Sequence, residues 1–282
     1  MTKRKDIIHI YAGTSGSAGL YIDEIFKALK NNFTQTAIVS YNFPFNYGKK
    51  VFYRFSDLST KNFTHKIDKL RLTIRYFELL YALIYSLKYI IINKPKIINY
   101  SLTTQINLEY FFLKLVSKFS NSKIWITAHD VIPFKTNYTD FDKSIKKRKM
   151  FFDLGHRIIV HNSNSINDLV SLYRIDKLKI LEFPFPIMDL NKIPNYQIPT
   201  SLNDFFLPKK KYFLFVGHIR TEKGINILLE AWQKIVQKDD FINNNLVIAG
   251  NIPKGINFNF NKQNVVAINR FLKLKLIPFG IF

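Results

Sequence analysis

Residues 212–232 read YFLFVGHIRTEKGINILLEAW, and NLVIAGN follows at 245–251. The first of these stretches opens with an apolar run of strand length. Gly217 and Gly224 bound a polar turn, and the apolar residues after it recur with a helical period. A further apolar run at 245–249 supplies the next strand. The pattern predicts strand, turn, helix and strand, which is the repeating unit of a doubly wound α/β sheet.

The same order of elements fills the first half of the chain. Short apolar strands are predicted at 7–11, 36–40, 96–100, 123–127 and 157–161, and the clearest helices at 20–30, 70–92 and 107–119. Strands that alternate with helices indicate a parallel sheet covered on both faces. We therefore expect an α/β protein with two Rossmann-like doubly wound domains, the second of them incomplete.

A proline-rich stretch separates the two halves. Five prolines lie between positions 184 and 208, where no sustained period is seen. Proline lacks a backbone donor and interrupts both helices and strands. We predict a first domain at 1–185, a linker at 186–208 and a second domain at 209–282.

Composition is that of a globular protein, with 47% hydrophobic and 22% charged residues. The longest apolar stretch, 79–92, contains Lys88 and is shorter than the roughly 20 residues that cross a bilayer. The start has only a strand-length apolar run before its first glycines, so we expect no secretory signal and a cytoplasmic chain. Cysteine is absent, which excludes thiolate metal ligands and a cysteine nucleophile in this sequence.

The charge is strongly positive, with 42 Lys and Arg against 20 Asp and Glu and a net charge of +22. Three interpretations stay open. One is a general compositional bias toward Lys, Asn, Ile and Phe. The second is peripheral attachment to an anionic surface such as the inner face of a membrane. The third, nucleic-acid binding, has no recognised motif to support it.

The turn after 212–216 has the chemistry of an anion site. Glycines at 217 and 224 allow close backbone approach, and a helix beginning after Gly224 offers unpaired N–H donors. Arg220 can contact two phosphate oxygens at once, and Lys223 adds a point charge. The alternative is an ordinary connecting turn, in which Arg220 and Lys223 are solvated and hold no anion.

This segment resembles the start of the C-terminal domain in retaining glycosyltransferases of family 4, which have the GT-B fold. The resemblance implies that Arg220 and Lys223 hold the diphosphate of a nucleotide sugar, beside Gly217 and Gly224. Many members have Arg directly after the first glycine, where this chain has His218. Others have Gly-x-Ile-Arg-x-x-Lys-Gly, which this chain matches, so we assign the contact to Arg220.

The resemblance extends to the N-terminal half. Residues 126–134, ITAHDVIPF, look like the family's strand that ends in His-Asp, and the family's histidine lies at the reacting sugar. This implies a catalytic role for His129. The crossing into the second domain, at 157–186, is also similar, although Phe185 and Pro186 stand where members often have His-Gly or His-Pro.

The first glycine-rich turn resembles the family's N-terminal loop. It reads AGTSGSAG at 12–19 and lacks the spacing of a dinucleotide-binding turn. The resemblance implies that it faces the acceptor or the donor phosphate. The residues concerned are Gly13, Ser15, Gly16, Ser17 and Gly19.

No metal or other cofactor is expected. Asp140 and Asp142 match an Asp-x-Asp pair, but they lie in a polar run typical of a solvated loop or helix cap. Two-Rossmann enzymes hold the diphosphate with basic side chains and a helix dipole instead.

Taken together, the resemblance implies a retaining glycosyltransferase that moves a sugar from a nucleotide-diphosphate sugar to a polysaccharide or glycoconjugate acceptor, saccharide or lipid-linked. Members of the family continue into a Glu-x7-Glu segment, and this sequence has no Glu after Glu230. We therefore expect the second domain to be cut short and activity to be impaired. A non-catalytic remnant and a basic membrane-surface binding protein are the alternatives.

Overall fold

A computed structural model describes most of the first half of the chain and parts of the second. The described residues are 5–11, 18–40, 51–55, 68–101, 105–133, 138–186, 211–217, 219, 223–238, 244–250 and 265–269. The chain divides into two compact units, Met1–Met188 and Asp189–Phe282. The predicted linker at 186–208 lies outside the described residues except for Pro186.

The first unit is one parallel sheet with helices. Its strands are β1 (Lys5–Tyr11), β2 (Phe33–Ser40), β3 (Val51–Phe55), β4 (Ile97–Ser101), β5 (Lys123–Thr127), β6 (Arg157–Val160) and β7 (Ile180–Glu182). Its helices are α1 (Ala18–Ala28), α2 (Asp68–Asn93), α3 (Ile106–Phe119), α4 (Tyr138–Asp153) and α5 (Ser163–Ser171). The strand order is β3-β2-β1-β4-β5-β6-β7. The order reverses between β1 and β4, and such sheets bind ligands at the carboxyl ends of their strands.

The predicted α/β fold with a parallel sheet is confirmed, and the structure adds elements that were not among the predicted strands and helices. β3 and the three-residue β7 were not recognisable as strands, since β7 runs directly into the proline-rich stretch. Helix α4 includes the polar run interpreted as a loop or helix cap. Phe151 and Phe152 are the only buried residues among the described side chains of α4, so its apolar signal is confined to a few positions.

Two hydrophobic layers hold the sheet. Helices α2, α3 and α4 contribute Leu83, Leu113 and Phe151 to the larger core on one face. On the other face, α1 packs through Ile22 and Phe26. All five residues of β4 are buried. Strands covered on both faces read as continuous apolar runs, which is why the central strands could be located from sequence.

A buried row of polar side chains crosses the sheet beneath α1. His9 on β1 lies with Nε2 3.1 Å from Gln35 Oε1 and with Nδ1 3.1 Å from Asn99 Nδ2. The Gln35 amide also donates to the Phe26 carbonyl of α1, at 2.7 Å. Because Gln35 Oε1 can only accept, the His9 proton lies on Nε2, and Nδ1 accepts from Asn99.

The row continues to the carboxyl edge of the sheet. Thr127 Oγ1 donates to Asn99 Oδ1 at 3.2 Å, and Ser101 Oγ donates to Thr127 Oγ1 at 3.4 Å. Each member of the row has a partner, so it joins β1, β2, β4 and β5 without an unsatisfied polar group inside it. Burial lowers the pKa of His9 to about 4. The hydrogen bond to Gln35 raises this pKa, but its effect is smaller than that of burial.

The described part of the second unit is a smaller parallel sheet with one helix. Its strands β8 (Tyr212–Val216), β9 (Asn245–Gly250) and β10 (Val265–Asn269) lie in the order β10-β9-β8, and α6 (Ile225–Ile235) connects β8 to β9. Helix α6 buries Ile225, Leu229 and Trp232. The Trp232 ring meets Phe213 of β8 edge-on at 5.5 Å. The strand, turn, helix and strand predicted for this segment are all present.

Candidate active site

Two histidines lie side by side at the carboxyl edge of the first sheet. β5 ends at Thr127, and the Ala128 N–H still bonds to the Ile159 carbonyl of β6 at 2.9 Å. His129 follows at once, and His161 directly follows β6. The sequence predicts a site at His129 but not at His161. A histidine within two residues of the end of each of two successive parallel strands is the signal that could have identified the pair.

The two imidazoles are hydrogen-bonded to each other. His161 Nε2 is 3.2 Å from His129 Nδ1, and His161 Nδ1 is 2.8 Å from the Phe183 carbonyl oxygen. The remaining nitrogen, His129 Nε2, is buried and has no hydrogen-bond partner among the described residues. Buried polar atoms nearly always have a partner, so an unpaired one at the edge of such a sheet marks a place where a ligand can bind.

Aromatic rings enclose the histidine pair. Tyr21 of α1 meets the rings of His129 and His161 edge-on, with centroids 4.8 and 5.1 Å apart. Phe185 stacks on Tyr21 at 5.4 Å and meets the His161 ring edge-on at 5.1 Å. Phe185 therefore contributes a packing contact at the position where family members often carry histidine. Such contacts restrict the rotation of both imidazoles.

His129 is neutral at physiological pH. Burial, with a smaller contribution from the charge of His161, lowers the pKa of His129 to about 4. A neutral imidazole carries one proton and one lone pair. His129 can therefore accept a hydrogen bond from a ligand hydroxyl, which an imidazolium could not do.

A small cavity adjoins the site. Its volume is about 50 Å³, and its lining includes Thr127, His129, Asp130 and Arg148. Arg148 of α4 donates to the Asp130 carbonyl at 2.6 Å, which fixes the backbone just after His129. The cavity has room for more than one water-sized group, such as the hydroxyls of a sugar.

In the second unit, the turn between β8 and α6 carries the predicted phosphate site. Gly217 is buried at the end of β8 with φ 142°, and Gly224 precedes α6 with φ 71°. The N-cap residue of α6 is Gly224, which offers no side chain to cap the helix, and Lys223 is exposed next to the first turn. Positive φ values favour glycine at both positions. Arg220 and His218 lie outside the described residues.

The remaining predicted site residues fall in two places. Gly13, Ser15, Gly16 and Ser17 lie outside the described residues, whereas Gly19 lies in the first turn of α1, which begins at Ala18.

Gly19 is thus part of a helix and not of the loop, because α1 starts two residues earlier than predicted. Asp140 and Asp142 are in the first turns of α4, where Asp140 is exposed. Within the described residues no group of three or more histidine or carboxylate side chains is placed to hold a metal ion.

Comparison with protein families matches residues 200–267 to the family model described as Glycosyl transferases group 1. The match covers β8, α6, β9 and part of β10, and with them the turn that contains Gly217, Arg220, Lys223 and Gly224. Among curated proteins, no significant match to this chain was found.

Solved structures share the fold over nearly the whole chain. A glycosyltransferase from Rickettsia africae ESF-5 has a TM-score of 0.57 at 15% identity, covering 96% of this chain and 70% of its own. An E. coli trehalose-6-phosphate structure bound with UDP-2-fluoro glucose has a TM-score of 0.58 at 11% identity, covering 96% and 75%. A UDP-GlcNAc 2-epimerase from Neisseria meningitidis bound to UDP-GlcNAc has a TM-score of 0.52 at 13% identity, covering 94% and 72%. At such identities the likeness establishes a GT-B type of fold and no more.

Proposed function

We propose that this chain, which contains a group 1 glycosyl transferase segment at 200–267, transfers a sugar from a nucleotide-diphosphate sugar to a saccharide or lipid-linked acceptor. The observation that carries the proposal is that the family match falls on the turn between β8 and α6. That turn combines a glycine-bounded backbone, a helix N-terminus with glycine as its N-cap residue, and the exposed Lys223. These are the features that bind a diphosphate.

The donor would bind with its diphosphate on Arg220, Lys223 and the N-terminus of α6. Negative charge grows on the leaving diphosphate as the glycosidic bond breaks, so positive groups fixed there lower the barrier. Neither a metal nor another cofactor is needed in this scheme. The family resemblance further suggests retention of configuration at the transferred sugar.

His129 would contact the sugar that reacts. Its Nε2 is buried at the carboxyl edge of the sheet without a hydrogen-bond partner among the described residues, and His129 lines a cavity of about 50 Å³. A sugar hydroxyl can donate a hydrogen bond to such a nitrogen or accept one from it. The acceptor substrate would enter near the loop 12–17, which follows β1 in the sequence.

A nucleotide-sugar epimerase is the nearest competing enzyme, because epimerases share the fold. Fold similarity cannot separate the two activities. The family match at 200–267 favours the transferase. A non-catalytic remnant remains the other alternative, and it predicts no specific binding of a nucleotide sugar.

Replacing Arg220 or Lys223 by alanine is expected to weaken donor use while leaving the fold intact. Each change removes a charge-assisted hydrogen bond of about 1.5 to 3 kcal/mol, which corresponds to about ten- to a hundredfold in affinity. Titration calorimetry with the nucleotide sugar that the wild-type chain binds best would measure the loss.

Lys234→Ala is the matched control, because Lys234 is an equally exposed lysine at the other end of α6. Affinity should be unchanged in this variant. His218→Ala should cost less than Arg220→Ala. A larger loss at His218 would mean that the arginine has been assigned wrongly.

We also propose that the enzyme works on an anionic membrane surface. Helix α2 exposes an apolar stripe at helical spacing, with exposed fractions of 62% for Phe77, 60% for Tyr81, 59% for Ile84 and 65% for Ile92. Lys88 is exposed on the same stripe. No helix in the described part of the chain is both long and apolar enough to cross a membrane.

The neighbouring helices extend this surface with positive charge. α2 packs on α3 and α3 on α4, so their outer sides form one face, here called the α2–α4 face. Its exposed lysines are Lys114, Lys118, Lys143, Lys146 and Lys147. Apolar side chains that enter the headgroup region and lysines that meet anionic lipids together give peripheral binding.

The double variant Lys143→Ala and Lys147→Ala is expected to bind anionic vesicles about thirtyfold more weakly, at about 1 kcal/mol for each lysine near the surface. Co-sedimentation with phosphatidylglycerol vesicles would measure this, and raised salt should weaken binding of the wild type. Arg174→Ala with Lys177→Ala, outside the face, is the control with equal charge loss. Equal pelleting with neutral and anionic vesicles would contradict the proposal.

A further inference from the structure

We propose that His161 is a positioning residue that fixes the tautomer of His129. It does so through two successive hydrogen bonds, from His161 to the Phe183 carbonyl and from His129 to His161, which we call the relay. The catalytic consequence rests on the function proposed above, but the tautomers themselves can be measured without activity. The relay consists of three groups in a line, from the carbonyl after β7 to His161 after β6 and His129 after β5.

The Phe183 carbonyl decides which nitrogen of His161 carries the proton. The Phe183 oxygen can only accept a hydrogen bond, and His161 Nδ1 lies 2.8 Å from it. His161 therefore carries a proton on Nδ1. In the neutral imidazole, Nε2 is then left with a lone pair.

The second hydrogen bond decides which nitrogen of His129 carries the proton. His161 Nε2 is 3.2 Å from His129 Nδ1, and a lone pair on the first atom requires a proton on the second. His129 Nε2 is consequently the unprotonated nitrogen. It is also the buried nitrogen that has no partner among the described residues. The relay thus presents a proton acceptor to the ligand, where the opposite tautomer would present a donor.

Packing keeps the rings in this arrangement. Tyr21 contacts both imidazoles edge-on, and Phe185 contacts His161 at 5.1 Å and His129 at 6.2 Å between centroids. A rotated His161 would lose its bond to the Phe183 carbonyl as well as these contacts. The tautomer of His129 is therefore a property of the whole cluster and not of His129 alone.

Two other histidines provide internal references with the opposite tautomer. His9 donates from Nε2 to Gln35. His156 accepts the Ile124 backbone N–H at Nδ1, so its proton also lies on Nε2. One spectrum can therefore contain two histidines protonated on Nδ1 and two protonated on Nε2.

The test is a long-range ¹H–¹⁵N correlation spectrum of the full chain labelled at histidine nitrogens, at neutral pH. We expect the Nδ1–H pattern for His129 and His161 and the Nε2–H pattern for His9 and His156, assigned by single substitutions. An Nε2–H pattern for His129 in the wild type would overturn the relay, whether or not the protein is a transferase.

The variant His161→Phe keeps an aromatic ring against Tyr21 and Phe185 but removes both nitrogens. We expect His129 to lose its pure Nδ1–H pattern while the His9 and His156 signals stay in place, which reports an intact fold. Turnover of the nucleotide sugar should fall about tenfold, comparable to one lost hydrogen bond, with nucleoside diphosphate affinity unchanged. An unaltered His129 tautomer in this variant would overturn the proposal, whereas absent turnover in the wild type would count only against the proposed function.

Discussion

Replacing Gly250 by alanine is expected to destabilise the second unit by on the order of 4 kcal/mol, beyond the range of ordinary substitutions. A Cβ at Gly250, the last residue of β9, would lie 1.7 Å from the Gly217 carbonyl oxygen and 3.1 Å from Ile219 Cγ1. The oxygen belongs to the backbone and cannot rotate away. The two strand ends would have to separate, and the turn that carries Lys223 would move with them.

Urea unfolding followed by tryptophan fluorescence would measure this effect. The chain has two tryptophans, and Trp232 lies in the second unit, packed on Phe213. A Trp125→Phe background therefore leaves a reporter for that unit alone.

The control is Gly224→Ala. A Cβ at Gly224 would meet no atom of the described residues within 4 Å, but φ is 71°. Its cost is backbone strain of about 1 to 2 kcal/mol. Equal losses at the two glycines would show that the close approach of β8 and β9 is not the cause.

Acid is expected to destabilise the first unit through two histidines, the buried His9 and the partly buried His129. Burial lowers the pKa of His9 to about 4, and burial with the nearby charge of His161 does the same for His129. The unfolded chain, with a histidine pKa near 6.5, binds the protons that the folded chain excludes. Their stabilising contribution is therefore full above about pH 6.5 and is lost as pH falls toward about 4, by about 3 kcal/mol for each histidine.

The free energy of unfolding, measured at several pH values between pH 7 and pH 4, would give the slope of stability against pH. Trp125 in a Trp232→Phe background is the reporter. In His9→Gln the slope should shrink, since one titrating group has been removed while a hydrogen-bonding side chain remains. If the slope is the same in the wild type and in His9→Gln, the lowered pKa of His9 in the folded chain is contradicted.

Helices and strands with a strong pattern of apolar residues within their own segment could be predicted from the sequence. The central strands carry continuous apolar runs because both faces of the sheet are covered, and α2, α3 and α6 carry long helical periods. β7 is too short to show a period, and the described part of α4 buries only Phe151 and Phe152, which is too few positions to show a helical period.

The site was predictable only in part, because its contacts are distant in sequence. His129 was identified by resemblance, whereas its partner His161 lies 32 residues further on and is brought to it by strand pairing. The polar row likewise joins His9 to Asn99 across 90 residues. No local pattern contains such information. The catalytic role of His129, the diphosphate contacts of Arg220, Lys223, Gly217 and Gly224, and the role of the loop 12–17 all remain predictions.

The central claim is that the turn between β8 and α6 binds the diphosphate of a nucleotide sugar. Titration calorimetry of the full chain with a panel of nucleotide-diphosphate sugars, and with the matching nucleoside monophosphates and free sugars, tests it most directly. We predict binding of at least one nucleotide sugar, little binding of monophosphates or free sugars, and a loss of about ten- to a hundredfold in Lys223→Ala but none in Lys234→Ala. Failure of every nucleotide sugar to bind, or equal affinity in the two lysine variants, would contradict the account.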